Sequence, residues 1–341
     1  MGETVNIGEI ADKLSEDIFK HFGWTIHPLR NVNFPCTNSD HVVKSKPGRK
    51  PEKKEIHQKI ETHPGDVVFS YIDPYLRMPV YLHTDLKSYG KNSINSTKIR
   101  NALESLSITI ECARNSLHWR KKYSISEDDA IDVRGMLFIH NHDGNYKSNF
   151  SDAVEATNFS TIPIAPNVYI HLIGPNDIDR LFSIANDIII LQHKKLLPEK
   201  YSCYYPDLVM WRRQGDVFSQ PATIEALTAP YFVLVYEQGE KLPPGFVIYY
   251  NRQGASPEEF EYFLDSLSRW QMLETGKFIR IRIISRNPHE NLMSNFRAAK
   301  YKYAHAWGFD QARVQVLENI SIEPVSAMVS TYSAPMIGWR E

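Results

Sequence analysis

At 341 residues the chain is long enough for two ordinary domains and too long for one small one. An apolar content of 42% with 12% aromatic residues excludes wholesale disorder. The net charge of −1 excludes a global pull toward polyanions, so nucleic-acid contact has to come from local patches.

The first pattern predicts an amphipathic helix over residues 5–22, with Ile7, Ile10, Ala11, Leu14, Ile18 and Phe22 on its apolar face. Gly23 stops it, and residues 24–29 begin an extended segment. Residues 44–54 are rich in Pro, Gly and Lys and predict a loop. Its Lys50, Lys53 and Lys54 are candidates for phosphate contact, because clustered lysines gain affinity by releasing counterions. The alternative is a solubilising loop with no partner.

Residues 65–87 carry the most chemistry. Two apolar, aromatic and β-branched runs flank Pro74-Tyr75-Leu76-Arg77, which has turn chemistry, so a β-hairpin is predicted. If the turn is tight, opposed residue numbers sum to about 151, by antiparallel register. Asp66 then faces Asp85. Residues two apart in a strand share a face, so Asp85 and Lys87 project together. Two carboxylates and an ammonium converge at one sheet end. A hard divalent cation takes such oxygen ligands, and phosphodiester hydrolysis uses a metal-activated water. The bland reading is a surface hairpin whose ion pair is solvated and worth little.

Beyond the hairpin, a helix is predicted over residues 96–117, with Leu103, Leu106, Ile110 and Ala113 as its buried stripe. Strands at 135–140 and 168–173 and a helix at 177–191 follow, an alternation that indicates α/β layers. His140-Asn141-His142-Asp143 is a rival metal set for zinc or manganese, although it lacks distant ligands and Asp143-Gly144-Asn145 has turn chemistry of its own. A second domain is expected from about residue 206. Its pattern predicts strands at 231–236, 246–250, 278–284 and 314–317 and helices at 256–274 and 288–307. That order suggests a small α+β sandwich with helices on one sheet face. Arg280, Arg282, Arg297 and Lys300, with Tyr301, Tyr303 and Trp307 interleaved, suit phosphate contact plus base stacking. An acidic protein partner fits the same residues. So does structural pairing of Arg280 and Arg282 with Glu258, Glu261 or Asp265.

On Asp66, Asp85 and Lys87, the hairpin resembles the PD-(D/E)xK (restriction endonuclease-like) nuclease superfamily, in which a hairpin presents an acid and then a D/E-x-K. The sequence departs from the written motif in having Pro64-Gly65-Asp66 for Pro-Asp. The order helix, Gly-Trp, strand, basic loop, acid hairpin, helix is also the superfamily's. The resemblance covers the N-terminal half. It implies an α/β fold with a restriction-endonuclease-like mixed sheet flanked by helices over residues 1–200, ahead of the smaller α+β domain at 206–341. It further implies Mg²⁺, with Mn²⁺ as a substitute, held by Asp66, Asp85, the Leu86 carbonyl and Glu9 or Glu16 of the first helix. A helical wheel, however, puts both glutamates nearly opposite the apolar stripe, where a solvated face is the alternative. Lys87 would orient the water or stabilise the transition state.

The expected function is that of a metal-dependent endonuclease acting on DNA first and RNA second, in host defence or restriction. The C-terminal region would bind nucleic acid or a protein partner, and a homodimer would suit cleavage of both strands. The alternative is a non-catalytic nucleic-acid-binding or scaffold protein that retains the fold. A third reading is a phosphodiesterase using His140 and His142. Cys36, Cys112 and Cys203 are odd in number and lack C-x-x-C spacing, which predicts a reducing cytoplasm with neither a disulfide framework nor a structural zinc. No apolar run approaches the ~20 residues that span a bilayer, and the acidic, amphipathic N-terminus is unlike a signal peptide. A cytoplasmic protein without membrane contact is expected.

Overall fold

The structure is a computed structural model that describes residues 2–42, 59–206, 220–237, 239 and 242–328, with side chains from Glu9 onward. The first apolar stripe forms helix α1 (Gly2–Asp17), which buries Ile10, Ala11 and Leu14. A 3-10 turn, Phe19–Phe22, extends it to Gly23. Gly23 has φ +77°, and a Cβ there would lie 2.9 Å from the Pro221 side chain, so both conformation and space call for glycine.

Short strands β1 (Thr25–Ile26), β2 (Phe34–Pro35) and β3 (Thr62–His63) precede the hairpin of β4 (Val67–Ile72) and β5 (Pro79–Tyr89). Helix α2 (Ser96–Asn115), capped by the Asn95 side chain accepting from Lys98 N–H, and the short α3 (Leu117–Lys122) lead to β6 (Asp132–Asn141). Because β5 and β6 are parallel, the chain needs this helical crossover between them. Helix α4 (Phe150–Glu155), β7 (Ile170–Ile173) and α5 (Pro175–His193) complete the first half. Its sheet has the order β1-β4-β5-β6-β7, antiparallel through the hairpin and parallel beyond it.

The second half runs β8 (Ser202–Cys203), α6 (Ile224–Thr228), β9 (Tyr231–Tyr236), β10 (Gly245–Tyr250), α7 (Pro257–Arg269), β11 (Phe278–Ile283), α8 (Leu292–Ala306), α9 (Gln311–Glu318) and β12 (Ser321–Pro324). Its sheet has the order β12-β11-β10-β9-β8, parallel from β10 to β12 and antiparallel through β9 and β8. The expected start of α7 is present: Ser256 caps Glu259 N–H, with Pro257 in the first turn. The expected strand at 314–317 is instead part of helix α9, and the last strand lies a few residues later. Asp310 caps Arg313 N–H and starts that helix. A short Val-x-Val-Leu run fits either period, and the cap decides it.

Strand alternation sorts the core into layers. Val67, Phe69, Leu82, Leu86, Met136 and Phe138 of the first sheet face α1 and α5, and the far side of those helices meets Phe232, Leu234, Val247 and Tyr249 of the second sheet. Helix α2 covers the opposite face of the first sheet through Leu103, Leu106 and Ile110 against Leu137 and Ile139. Helices α7 and α8 cover the outer face of the second sheet through Phe260, Phe263 and Phe296. The two sheets therefore share one core around α5. No helix among the described residues is long and apolar enough to cross a membrane.

Candidate active site

The register of the hairpin is set at its turn. The Asp73 carboxylate accepts the N–H groups of Tyr75 and Leu76, each at 2.9 Å, and Arg77 takes φ +54°. Six pairs run from Ile72–Pro79 to Val67–Thr84, so the next opposed pair is Asp66 and Asp85. The loop after β1 clamps the acid's backbone: Val32 N–H donates to Gly65 O at 2.8 Å and Asn31 N–H to Asp66 O at 2.9 Å.

His83, two residues before Asp85 on the same strand face, packs beneath this segment. Its Nδ1 accepts from Trp119 Nε1–H at 3.1 Å, so the ring's proton lies on Nε2, which donates to Pro64 O at 3.0 Å. Burial pushes its pKa down, in keeping with a neutral ring. A Cβ on Gly65 would come within 2.7 Å of His83 Cε1 and 3.1 Å of Val32 O. The glycine that interrupts the written motif is thus required by the ring that holds the acid in place.

Asp66 lies within hydrogen-bond reach of Asp85, and its Oδ2 accepts Leu86 N–H at 2.8 Å. Lys87 Nζ sits 2.6 Å from Asp85 Oδ1, with about a third of the lysine side chain and a sixth of the aspartate exposed. Burial, then the charge of Asp85, push the Asp66 carboxyl up to about 7, against the pull of the Leu86 N–H. For Lys87, burial lowers the pKa, but Asp85 and Asp66 together outweigh it and the net shift is upward. The ammonium is therefore held charged. In an extended strand the N–H and C=O of one residue point to the same edge, so the Leu86 carbonyl shares the edge that Asp66 occupies. Two facing carboxylates that resist simultaneous ionisation, beside a backbone carbonyl, are the hard oxygen donors a small divalent cation would relieve.

The other expected site residues fare differently. Glu9 and Glu16 are exposed on α1, which packs on the sheet face opposite Asp85 and Lys87, and Glu16 pairs with Lys13 at 3.7 Å. Lys50, Lys53 and Lys54 lie outside the described residues. Arg282 turns inward, with bonds of 2.6 and 3.0 Å to the buried Asp187 of α5 and a further pair with Glu323. Arg280 donates to Leu196 O at 2.9 Å. Lys300 is buried, near Glu318 at 3.4 Å and over the Phe296 ring. Arg282 is thus paired with an acid inside the fold, and the buried Lys300 with Glu318 at the surface. Arg297 is exposed.

His140 and His142 both approach Ser88 Oγ through Nδ1, at 3.5 and 3.1 Å, but Asp143 spends its carboxylate on Lys91 N–H and Asn145 N–H. The cluster of metal-ligating side chains found among the described residues lies elsewhere, at Cys36, His41, His63 and Cys112. Sequence reasoning missed it because its members come from two loops, a strand and a helix. It missed His83 too, although strand alternation alone places that residue on the face of Asp85.

No curated protein and no solved structure matches the chain. Residues 1–177 match the family model of the GAPS4 protein PD-(D/E)XK nuclease domain, a stretch that takes in α1, the acid hairpin and the whole first sheet. Sequence match, mixed sheet and hairpin acids agree, and the chain belongs to this family of PD-(D/E)XK nuclease domains.

Proposed function

We propose that this chain is a metal-dependent endonuclease that hydrolyses phosphodiester bonds in DNA, with RNA as the second substrate. The observation that carries the reading is the convergence of Asp66, Asp85 and Lys87 at one end of the hairpin. Asp66, Asp85 and the Leu86 carbonyl would hold Mg²⁺ or Mn²⁺. When bound, the cation would lower the pKa of a water and neutralise charge on the scissile phosphate.

The chain's own groups account for the remaining needs. Asp85 orients Lys87 and keeps it charged, so the ammonium serves as a hydrogen-bond donor to phosphate oxygens and not as a base. The loop clamp at Asn31 and Val32 and the His83–Pro64 bond fix Asp66 in advance, so little reorganisation is needed on reaction. Water adds to phosphorus, one P–O ester bond breaks, and the products are an alcohol and a phosphate monoester. On α8, Arg297, Tyr301 and His305 recur every fourth residue on an exposed face, which supports nucleic-acid contact by charge and stacking. A role in host defence or restriction is the setting we favour, by analogy with restriction enzymes of this fold, with the C-terminal half as the partner or sensor module.

Purified protein incubated with plasmid DNA or total RNA, with Mg²⁺ or EDTA, tests this beside Asp85→Asn and Lys87→Ala. Metal-dependent cleavage should fall at least a hundredfold in both variants while the fold is kept. Retention of DNA on a gel without cleavage by the wild type would favour the non-catalytic binding protein. Cleavage that survives Asp85→Asn would sink the hairpin as the active site.

A further inference from the structure

Cys36 follows β2, His41 lies in the next loop, His63 ends β3 and Cys112 sits in the last turn of α2. Their four ligand atoms lie within 4.8 Å of one another. The two sulfurs are 3.7 Å apart, and His41 Nδ1 is 3.4 Å from each. Zinc bonds sulfur at about 2.3 Å and imidazole nitrogen at about 2.0–2.1 Å, so tetrahedral ligands stand roughly 3.8 Å apart for S–S and 3.6 Å for S–N. Cys36, Cys112 and His41 stand close to those spacings, and the His63 nitrogen lies within 4.8 Å of all three. Cysteines 36 and 112 are free thiols, not a disulfide.

The groups around the cluster are compatible with the tautomers that metal binding requires. His41 Nε2 faces Glu111 Oε2 at 3.4 Å, and Asn38 Nδ2 donates to the other Glu111 oxygen at 2.8 Å. That is a carboxylate–histidine arrangement with Nδ1 left to ligate. Thr109 spends its hydroxyl proton on Ser105 O at 2.9 Å and so accepts from His63 Nδ1–H at 3.4 Å. His63 is only 2% exposed, and its Nε2 is buried without a hydrogen-bond partner among the described residues. A buried lone pair without a donor costs desolvation energy that a metal ion would offset.

We propose that Cys36, His41, His63 and Cys112 form a structural zinc site. Two sulfurs and two nitrogens complete a tetrahedral shell and leave no open position, which marks a structural and not a catalytic metal. The proposed site departs from the expectation drawn from cysteine spacing. Two of the three cysteines meet only because α2 packs against the arm of β2 and β3, while Cys203 is buried elsewhere in the core. The site's role follows from position. Ile60 N–H donates to His41 O at 2.9 Å and Val42 bridges Lys59, so both arms that enclose residues 43–58 are tied to α2 at their base. His63 lies three residues before Asp66 in the chain, so the same tie anchors the segment that leads into the hairpin.

Metal analysis of the full chain, purified without chelators under reducing conditions, should find one zinc per chain. Cys112→Ser and His63→Ala should each lower the content more than tenfold, and Asp85→Asn should leave it unchanged. Should those two variants fail to fold, cobalt exchanged into the wild type gives the readout independently: tetrahedral S₂N₂ ligand-field bands with sulfur charge transfer. Glu111→Gln should keep the site but weaken zinc affinity about 10–100-fold. Wild-type protein that takes up neither zinc nor cobalt would overturn the proposal. So would full zinc content in Cys112→Ser, or a Cys36–Cys112 disulfide in peptide mapping of the purified chain. None of these outcomes bears on cleavage by the hairpin, which is tested separately.

Discussion

Asp66 shows how a single carboxyl registers its surroundings. Burial and the facing Asp85 hold its pKa near 7, above the usual 3.8, and the proton belongs to the pair of acids. A group whose pKa is raised on folding contributes stability that is fully present below its unfolded pKa and lost as pH rises through the folded value. Metal-free protein should therefore be more stable at pH 6 than at pH 8 by about 1 kcal/mol from this group, and Asp66→Asn should remove that difference in urea unfolding at the two pH values. An equal slope in the variant would mean that Asp66 is not the group whose pKa folding raises. Cation binding must displace the shared proton. Apparent Mn²⁺ affinity should accordingly rise about tenfold per pH unit up to about 7, then level off, as titration calorimetry can measure.

At the scale of elements, the hairpin was legible from the chain alone. The turn chemistry of residues 74–77, two β-rich runs and the parity of Asp85 and Lys87 suffice, because antiparallel register is a local property of the turn. The bracing of the hairpin was not legible. Gly65 looked like a blemish in the motif until His83 was seen against it, held by Trp119 from α3 and by Pro64 O. Gly65→Ala forces that ring or the Val32 carbonyl to move. It should cost about 1–3 kcal/mol in urea unfolding, by overpacking, and reduce cleavage further than stability alone explains, since Asp66 moves with residue 65. Unchanged stability and activity would show that the ring yields freely. The misread of residues 314–317 has a related cause: four apolar-alternating residues carry too little periodicity, and a capping aspartate outweighs them.

Across the whole molecule, the arginine face of β11 is the feature whose meaning changed most. Alternation of Ile and Arg gives the strand one apolar and one basic face, but does not say what the basic face meets. It packs on α5, where Arg282 makes a two-pronged pair with Asp187 and reaches Glu323. Asp187 is 3% exposed, so Asp187→Ala leaves a buried guanidinium with one partner and should destabilise the protein by roughly 3 kcal/mol. Urea unfolding checks this, and a loss under 1 kcal/mol would mean that solvent reaches Arg282. Because α5 lies between the two sheets, the same variant should weaken both halves together, seen as one unfolding transition and not two.

The sequence by itself determined the main helices and strands of the first half, though not β2, β3, α3 or α4, and with them the acid hairpin, its register and the nuclease family those features point to. All of these depend on neighbours within a few tens of residues, where period and turn chemistry act. Only the tertiary structure decided which bases are paired with acids among the described residues and which are exposed. Arg282 and Lys300 go inward and Arg297 stays outside, although the chain writes all three as bases near aromatics. It also decided that two cysteines and two histidines, drawn from separate elements, meet. Convergence of that kind is set by how sheets and helices pack, and packing depends on contacts between residues that the sequence keeps far apart.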